Sequence, residues 1–251
     1  MSAALGAFIL AAVLATATLS GVFGMAGGLI LMGVLTAVMP AAAALAIHGL
    51  VQMASNASRI VLHLKHVSWR VVGFYAIGAF ATMGAFTVIA YTPSKSVVYL
   101  ALGLLPILVW LPERYIPLDA ARPLHAVLAG VLSTALALTS GVSGPLADVF
   151  LVRSVLTRHQ VLSTKAALQM FSHISKVVFY GGAILMAGGG GFAPPWLLVG
   201  SCLLAVAGVS LGSRVLDKLS DQGFQSWRRW IFTAVAVVYL VQAAFLFARG
   251  Q

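Results

Sequence analysis

Apolar runs of membrane-crossing length cover nearly the whole chain and leave no stretch from which a separate soluble domain could be built. About 20 predominantly apolar residues cross roughly 30 Å of hydrocarbon at about 1.5 Å per residue. Such segments lie near residues 4–39, 41–62, 70–91, 96–111, 124–157, 161–186, 193–212 and 230–248. Only 8% of the 251 residues are charged and 61% are hydrophobic, whereas a soluble domain carries about 25% charged residues. The expected fold class is an all-α polytopic membrane protein of about eight transmembrane segments, in close contact with membrane lipids.

The net charge of +10 acquires its meaning from where the charges fall. Most basic residues sit in short connections, at Lys65 to Arg70, Arg153 to Arg158 and Arg214 to Arg229. That is how Lys and Arg are retained in cytoplasmic membrane loops, and it speaks against nucleic acid as a partner. The single cysteine, Cys202, excludes an internal disulfide and a thiolate metal cluster. The N-terminal run lacks the basic start of a secretory signal and reads as a first membrane segment.

Two short sequences recur in the same order. Ser20-Gly21-Val22-Phe23-Gly24 returns as Ser140-Gly141-Val142-Ser143-Gly144, 120 positions on. The run from Gln52 to Val61 returns as Gln169 to Val178, 117 positions on. The chain is therefore expected to be an internal duplication, with repeats at 1–118 and 119–251. Each repeat opens on a segment interrupted by glycine, at 21–28 and at 140–145.

The loop charges bear on topology. If the two opening segments enter and return as broken hairpins, the basic loops 63–70, 113–122, 153–160 and 212–229 all face the cytoplasm, and the halves are inverted copies. Lys95 and Arg249 then fall on the other side. The alternative is a plain eight-span arrangement of two four-span halves.

Candidate site residues concentrate at the breaks and on the helices that follow them. Gly21, Gly24, Gly27 and Gly28 interrupt the first opening segment, and Ser140, Gly141, Ser143 and Gly144, with Pro145, interrupt the second. Non-helical backbone at membrane depth needs protein, water or substrate to satisfy it, and the N–H groups of a helix starting there suit an anion. Tight helix packing through small residues is the competing explanation. On a helix, Gln52, Ser55, Asn56 and Arg59 form one polar stripe, and Gln169, Ser172, His173 and Lys176 form its counterpart. Such stripes belong against each other or a water-filled path, where Arg59 and Lys176 would attract an anion; interhelical hydrogen bonding is the alternative. Asp148 is the one acid placed within an apolar segment, so it must pair, protonate or face a polar cavity. Arg153 and Lys176 are its expected partners. Asp148 and His173 are the proton-coupling candidates. Lys165, Arg153 and Arg158 read as a basic cytoplasmic mouth or as retention charges, and the tryptophans as interfacial anchors. The six histidines show no metal-ligand spacing, so no metal and no cofactor is expected.

The glycine-rich SGVFGMAGG opening, its partner SGVSGP and the repeated polar helix together resemble the sulfite exporter TauE/SafE family over about residues 5–248. Gly24, Gly27, Gly28 and Pro40 match the family's first motif, whereas Pro145-Leu146-Ala147-Asp148 stands where a more glycine-rich stretch is common. The resemblance implies a multi-pass transporter of the bacterial inner membrane for small anions such as sulfite, organosulfonates or carboxylates. Broken inverted repeats suit alternating access. An anion channel or a membrane scaffold is the alternative. An enzyme is not expected, for want of a nucleophile with a base. The sequence leaves open the exact solute, the direction of transport, proton coupling and any homo-oligomer.

Overall fold

Proline, glycine and a few hydroxyl caps set where the helices begin and end. A computed structural model describes residues 2–23, 26–62, 64–110, 118–151, 156–186, 188, 193–216 and 221–250. The helices are α1 (Ala3–Phe23), α2 (Ala26–Val38), α3 (Ala41–Leu62), α4 (Trp69–Ile89), α5 (Lys95–Leu104), α6 (Ile107–Trp110) and α7 (Pro123–Ser140). They continue with α8 (Gly144–Leu151), α9 (Arg158–Lys176), α10 (Gly182–Met186), α11 (Pro195–Leu216) and α12 (Asp221–Ala248). No strand occurs among the described residues. Pro123 opens α7 at its first turn, where a missing N–H costs nothing. Thr157 and Gln160 form a reciprocal capping box on α9, satisfying two N-terminal donors at once. Ser94 accepts the Val97 amide at the start of α5. Gly141, at φ +82°, closes α7 in a left-handed conformation that other residues adopt only with strain.

Among the described residues, five helices are long and apolar enough to cross a membrane: Ala3–Phe23, Trp69–Ile89, Pro123–Ser140, Pro195–Val215 and Trp230–Ala248. Only 22–44% of the residues in these spans are buried, so most of their apolar surface requires hydrocarbon around it. The chain is a multi-pass membrane protein. Helices α2 and α5 are apolar but short. Helices α3 and α9 have the length, at 22 and 19 residues, but carry the polar stripes. The segment expected at 96–111 is divided between α5 and α6. The described parts of the expected connection 212–229, residues 212–216 and 221–229, are helical, because a helix satisfies its own backbone bonds beyond the hydrocarbon as well as within it. Trp69, Trp110, Trp196 and Trp230 are exposed, and all but Trp110 stand at or next to the start of an apolar span.

Helix α1 packs on α11, α4 on α7, α3 on α9 and α5 on α12. Glycines bring the first two pairs to backbone contact. A Cβ on Gly21 would strike the Val209 carbonyl and Gly212, and one on Gly212 would strike the Thr18 carbonyl. Across the other pair, Gly78 abuts the Val127 carbonyl and Gly130 the Tyr75 carbonyl. Such small-residue seams are how helices associate closely in lipid, where no hydrophobic drive between them exists. One apolar core runs through α1, α2, α3, α5, α11 and α12, and a second joins α4, α7, α8 and α9. The α3–α9 pair, bearing the stripes, occupies the interior where the two cores meet.

Candidate functional site

The two interrupted segments deliver their broken ends to the flanks of α3 and α9. Helix α2 begins against the last two turns of α1: a Cβ on Gly27 would collide with the Thr16 carbonyl and the Ser20 hydroxyl. The next residue, Gly28, faces the Gln52 amide, and its carbonyl accepts from His48 Nε2 at 2.9 Å. Because a carbonyl only accepts, His48 Nε2 carries the proton, and Nδ1 of the neutral ring is left as an acceptor. The Lys176 ammonium supplies the donor there, at 2.6 Å.

Lys176 is wholly buried. Besides His48 it donates to the Gly141 carbonyl at 2.6 Å, so both of these partners are neutral. An ammonium has three N–H donors, and two are committed. In the first half, Arg59 Nη2 donates to the Ser20 carbonyl at 3.0 Å. Each stripe thus places its cation on a carbonyl at the C-terminal end of the helix preceding a break, where the helix dipole is negative. A second tie recurs in the same way. His48 holds residue 28 at the start of α2, and Lys165 holds Asp148 in α8 with a 2.5 Å ion pair.

The remaining stripe residues divide into satisfied and unsatisfied groups. Ser172 shares a hydrogen bond with Tyr75 at 3.1 Å and accepts from Ser143 at 3.3 Å. Ser140 turns back on its own segment: its hydroxyl lies 2.8 Å from the Leu136 carbonyl and accepts the Val142 amide. Ser55 is buried on α3 and Gln169 half-buried on α9. Gly144 is the first residue of α8. Asn56 and His173 are each 2% exposed, yet Asn56 Oδ1 and both ring nitrogens of His173 have no hydrogen-bond partner. The His173 ring meets His48 edge-on with centroids 5.9 Å apart.

The structure therefore brings Gly28, Gln52, His173, Lys176 and the second break together. Arg59 and Gly27 serve the α1–α2 corner, and Gly21 lies in the α1–α11 seam. Gly24 and Arg153 fall outside the described residues. Asp148 pairs with Lys165, and the expected partner Lys176 is committed to His48 and the Gly141 carbonyl; the expected pairing with Arg153 lies outside the described residues. Among the described residues, no three His, Cys, Asp or Glu side chains gather to hold a metal. Sequence reasoning missed His48, which was weighed only as a metal ligand. The signal was its position: one turn before Gln52, it extends the same stripe. It missed also the π-helical turn Val177–Gly181 that follows Lys176, a feature frequent at functional sites.

A family model described as sulfite exporter TauE/SafE matches residues 8–243. Neither a curated protein nor a solved structure matches the chain.

Proposed function

The chain belongs to the sulfite exporter TauE/SafE family, and on that footing we propose that it is a secondary transporter of small anions, binding its solute between α3 and α9. The observation that carries this reading is Lys176: a wholly buried cation with neutral partners, set beside a helix break and facing the other stripe. A buried charge without a counter-charge is costly, and an incoming anion relieves that cost. The solute is sulfite, an organosulfonate or a carboxylate, and the protein sits in the bacterial inner membrane.

The chain is an inverted duplication working by alternating access. Three pairings support this. Helix α1 packs on α11 as its repeat counterpart α7 packs on α4, and α3 and α9 pair with each other, as do α5 and α12. The paired ties of 59 to 20 and 176 to 141, and of 48 to 28 and 165 to 148, follow the same correspondence. Glycine-lined seams join the α1–α11 and α4–α7 pairs alike. Proton coupling is assigned to Asp148, whose carboxylate partner Lys165 would be released on protonation, and to His173 beside the site.

The test is flux of sulfite, sulfoacetate, taurine and lactate in proteoliposomes, with and without an imposed pH gradient. Saturable flux of one anion, accelerated by the gradient, is the expected result. Flux that rises linearly with concentration would favour a channel, and folded protein that carries none of them would remove the reading.

A further inference from the structure

Unsatisfied polar atoms in a buried place are a record of what the place is built to receive, because leaving them unpaired costs free energy comparable to a lost hydrogen bond. Among the described residues, buried side-chain nitrogens and oxygens without partners occur on Asn56, Ser133, Thr134, His173 and Ser201. Ser133 and Thr134 lie on α7 and Ser201 on α11, where a hydroxyl can bond back to its own helix with a rotamer change. Asn56 and His173 have no such outlet. They stand on the two stripe helices, which pack together, at positions 117 apart that correspond in the repeated sequence.

Of the two, His173 is the one the structure places at the site: it stands one turn before Lys176, and its ring meets that of His48, the Lys176 partner. Its chemistry is not that of a plain anion hole. A neutral imidazole presents one N–H and one bare nitrogen whichever tautomer it adopts, and neither nitrogen of His173 is engaged. The site therefore offers the third Lys176 N–H and one His173 N–H to an acceptor, together with one acceptor that only a donor can satisfy. A bare oxyanion, which accepts and never donates, would leave that acceptor unpaired.

Resting on the transport reading above, we infer that His173 is a recognition residue and that the solute is a small oxyanion carrying a hydrogen-bond donor of its own. Its acid oxygens meet Lys176 and the His173 N–H. Its hydroxyl, amino or acid hydrogen meets the bare His173 nitrogen. Hydroxy- and amino-substituted sulfonates or carboxylates, and hydrogen-bearing inorganic oxyanions, belong to this class.

The experiment compares matched anions that differ by a hydroxyl in place of a methyl: isethionate against propanesulfonate, and lactate against isobutyrate, as flux in proteoliposomes. Sites built to hydrogen-bond a substrate hydroxyl reject its apolar analogue strongly, so a preference of at least about tenfold in kcat/KM is expected. His173→Phe should bring that ratio towards unity: the loss of its N–H falls on both members of a pair alike, whereas the loss of its bare nitrogen falls only on the member with a hydroxyl. His173→Asn, which disturbs packing less, should give an intermediate ratio. Equal handling of both members of a pair by the unaltered protein overturns the inference and leaves the transport reading standing. A preference that survives in both variants, each eluting as folded protein, also overturns it. If neither member of either pair is carried, the inference falls together with the transport reading; the unaltered protein decides these points without any variant having to fold.

Discussion

Lys176 and Gly141 lie on different sides of a helix break, yet the Lys176 ammonium reaches the Gly141 carbonyl at 2.6 Å. The carbonyl ends α7, and the left-handed Gly141 turns it towards α9. The cation thus both fastens the break and supplies charge to the interior, and substitution should separate the two tasks.

Replacing Lys176 with Met shortens the side chain by one atom and removes every donor. Hydrogen bonds to charged groups contribute roughly 1.5–3 kcal/mol, so anion affinity should fall by at least about tenfold. The Gly141 carbonyl and His48 Nδ1 lose their donor too, and thermal unfolding should occur at lower temperature. Lys176→Arg should recover the charge but little activity, because a planar guanidinium does not fit a wholly buried ammonium site. Equilibrium binding and unfolding of the same purified samples measure both effects; unaltered affinity in Lys176→Met would remove the residue from the anion site.

Glycine substitutions should sort by what surrounds them. At Gly27 a Cβ would meet backbone, and at Gly141 it would meet Met32 and Leu45 in a residue with φ +82°. Alanine there should destabilise by about 1–3 kcal/mol. Gly73 and Gly84, in the middle of α4, have open space around the added methyl; alanine at either should be neutral or stabilise by up to about 1 kcal/mol. Reversible unfolding in detergent would rank the four, and an equal loss at all of them would contradict the seams and breaks described.

The Asp148–Lys165 pair should show a coupling of about 1 kcal/mol in a double-mutant cycle of Asp148→Asn and Lys165→Met, as expected for a partly exposed ion pair at 2.5 Å. Its assigned role in coupling makes a separate demand. Asp148→Asn should still exchange anion between equal concentrations across a vesicle membrane, but should no longer respond to a pH gradient. If the gradient accelerates this variant as it does the unaltered protein, the coupling carboxylate is elsewhere.

A single change, Cys202→Ser, yields a cysteine-free background. In it, Gln52→Cys, beside Gly28 and the stripe, should react with a water-soluble thiol reagent, and a transported anion should slow that reaction by at least about threefold at a concentration giving two-thirds occupancy. Val13→Cys, on a fully buried side chain of α1, should not react. Comparable reactivity at both positions would exclude a water-filled path confined to the stripes.

Much of this was legible in the chain because its signals were local. The breaks announced themselves through Gly24, Gly27, Gly28 and Gly141, and the stripes through spacing alone, since a polar residue every third or fourth position in an apolar helix has one direction to face. The partners were less legible. That Asp148 would meet Lys165, and that Arg59 and Lys176 would rest on helix-end carbonyls, depends on how α8 and α1 fold back on their neighbours, which residue spacing does not encode. His48 lacks metal-ligand spacing because its role is another: a metal site needs several ligands, whereas a tie to the Gly28 carbonyl needs one nitrogen. The nine-residue extension of α12 ahead of Trp230 was obscured for another reason. Charge marks where hydrocarbon stops, and a helix need not stop there.

The seams between α1 and α11 and between α4 and α7 also govern how the chain can be made. Helix α1 leaves the ribosome well before α11, which carries the glycine-fitted face it must dock against. Until then α1 has to wait in the bilayer or in the insertion machinery with its groove covered by something else, while α4 finds its mate much sooner. Newly made chains halted before Pro195 should therefore hold a settled α4–α7 pair and an α1 still open to other company, a window in which quality control could recognise an unfinished molecule.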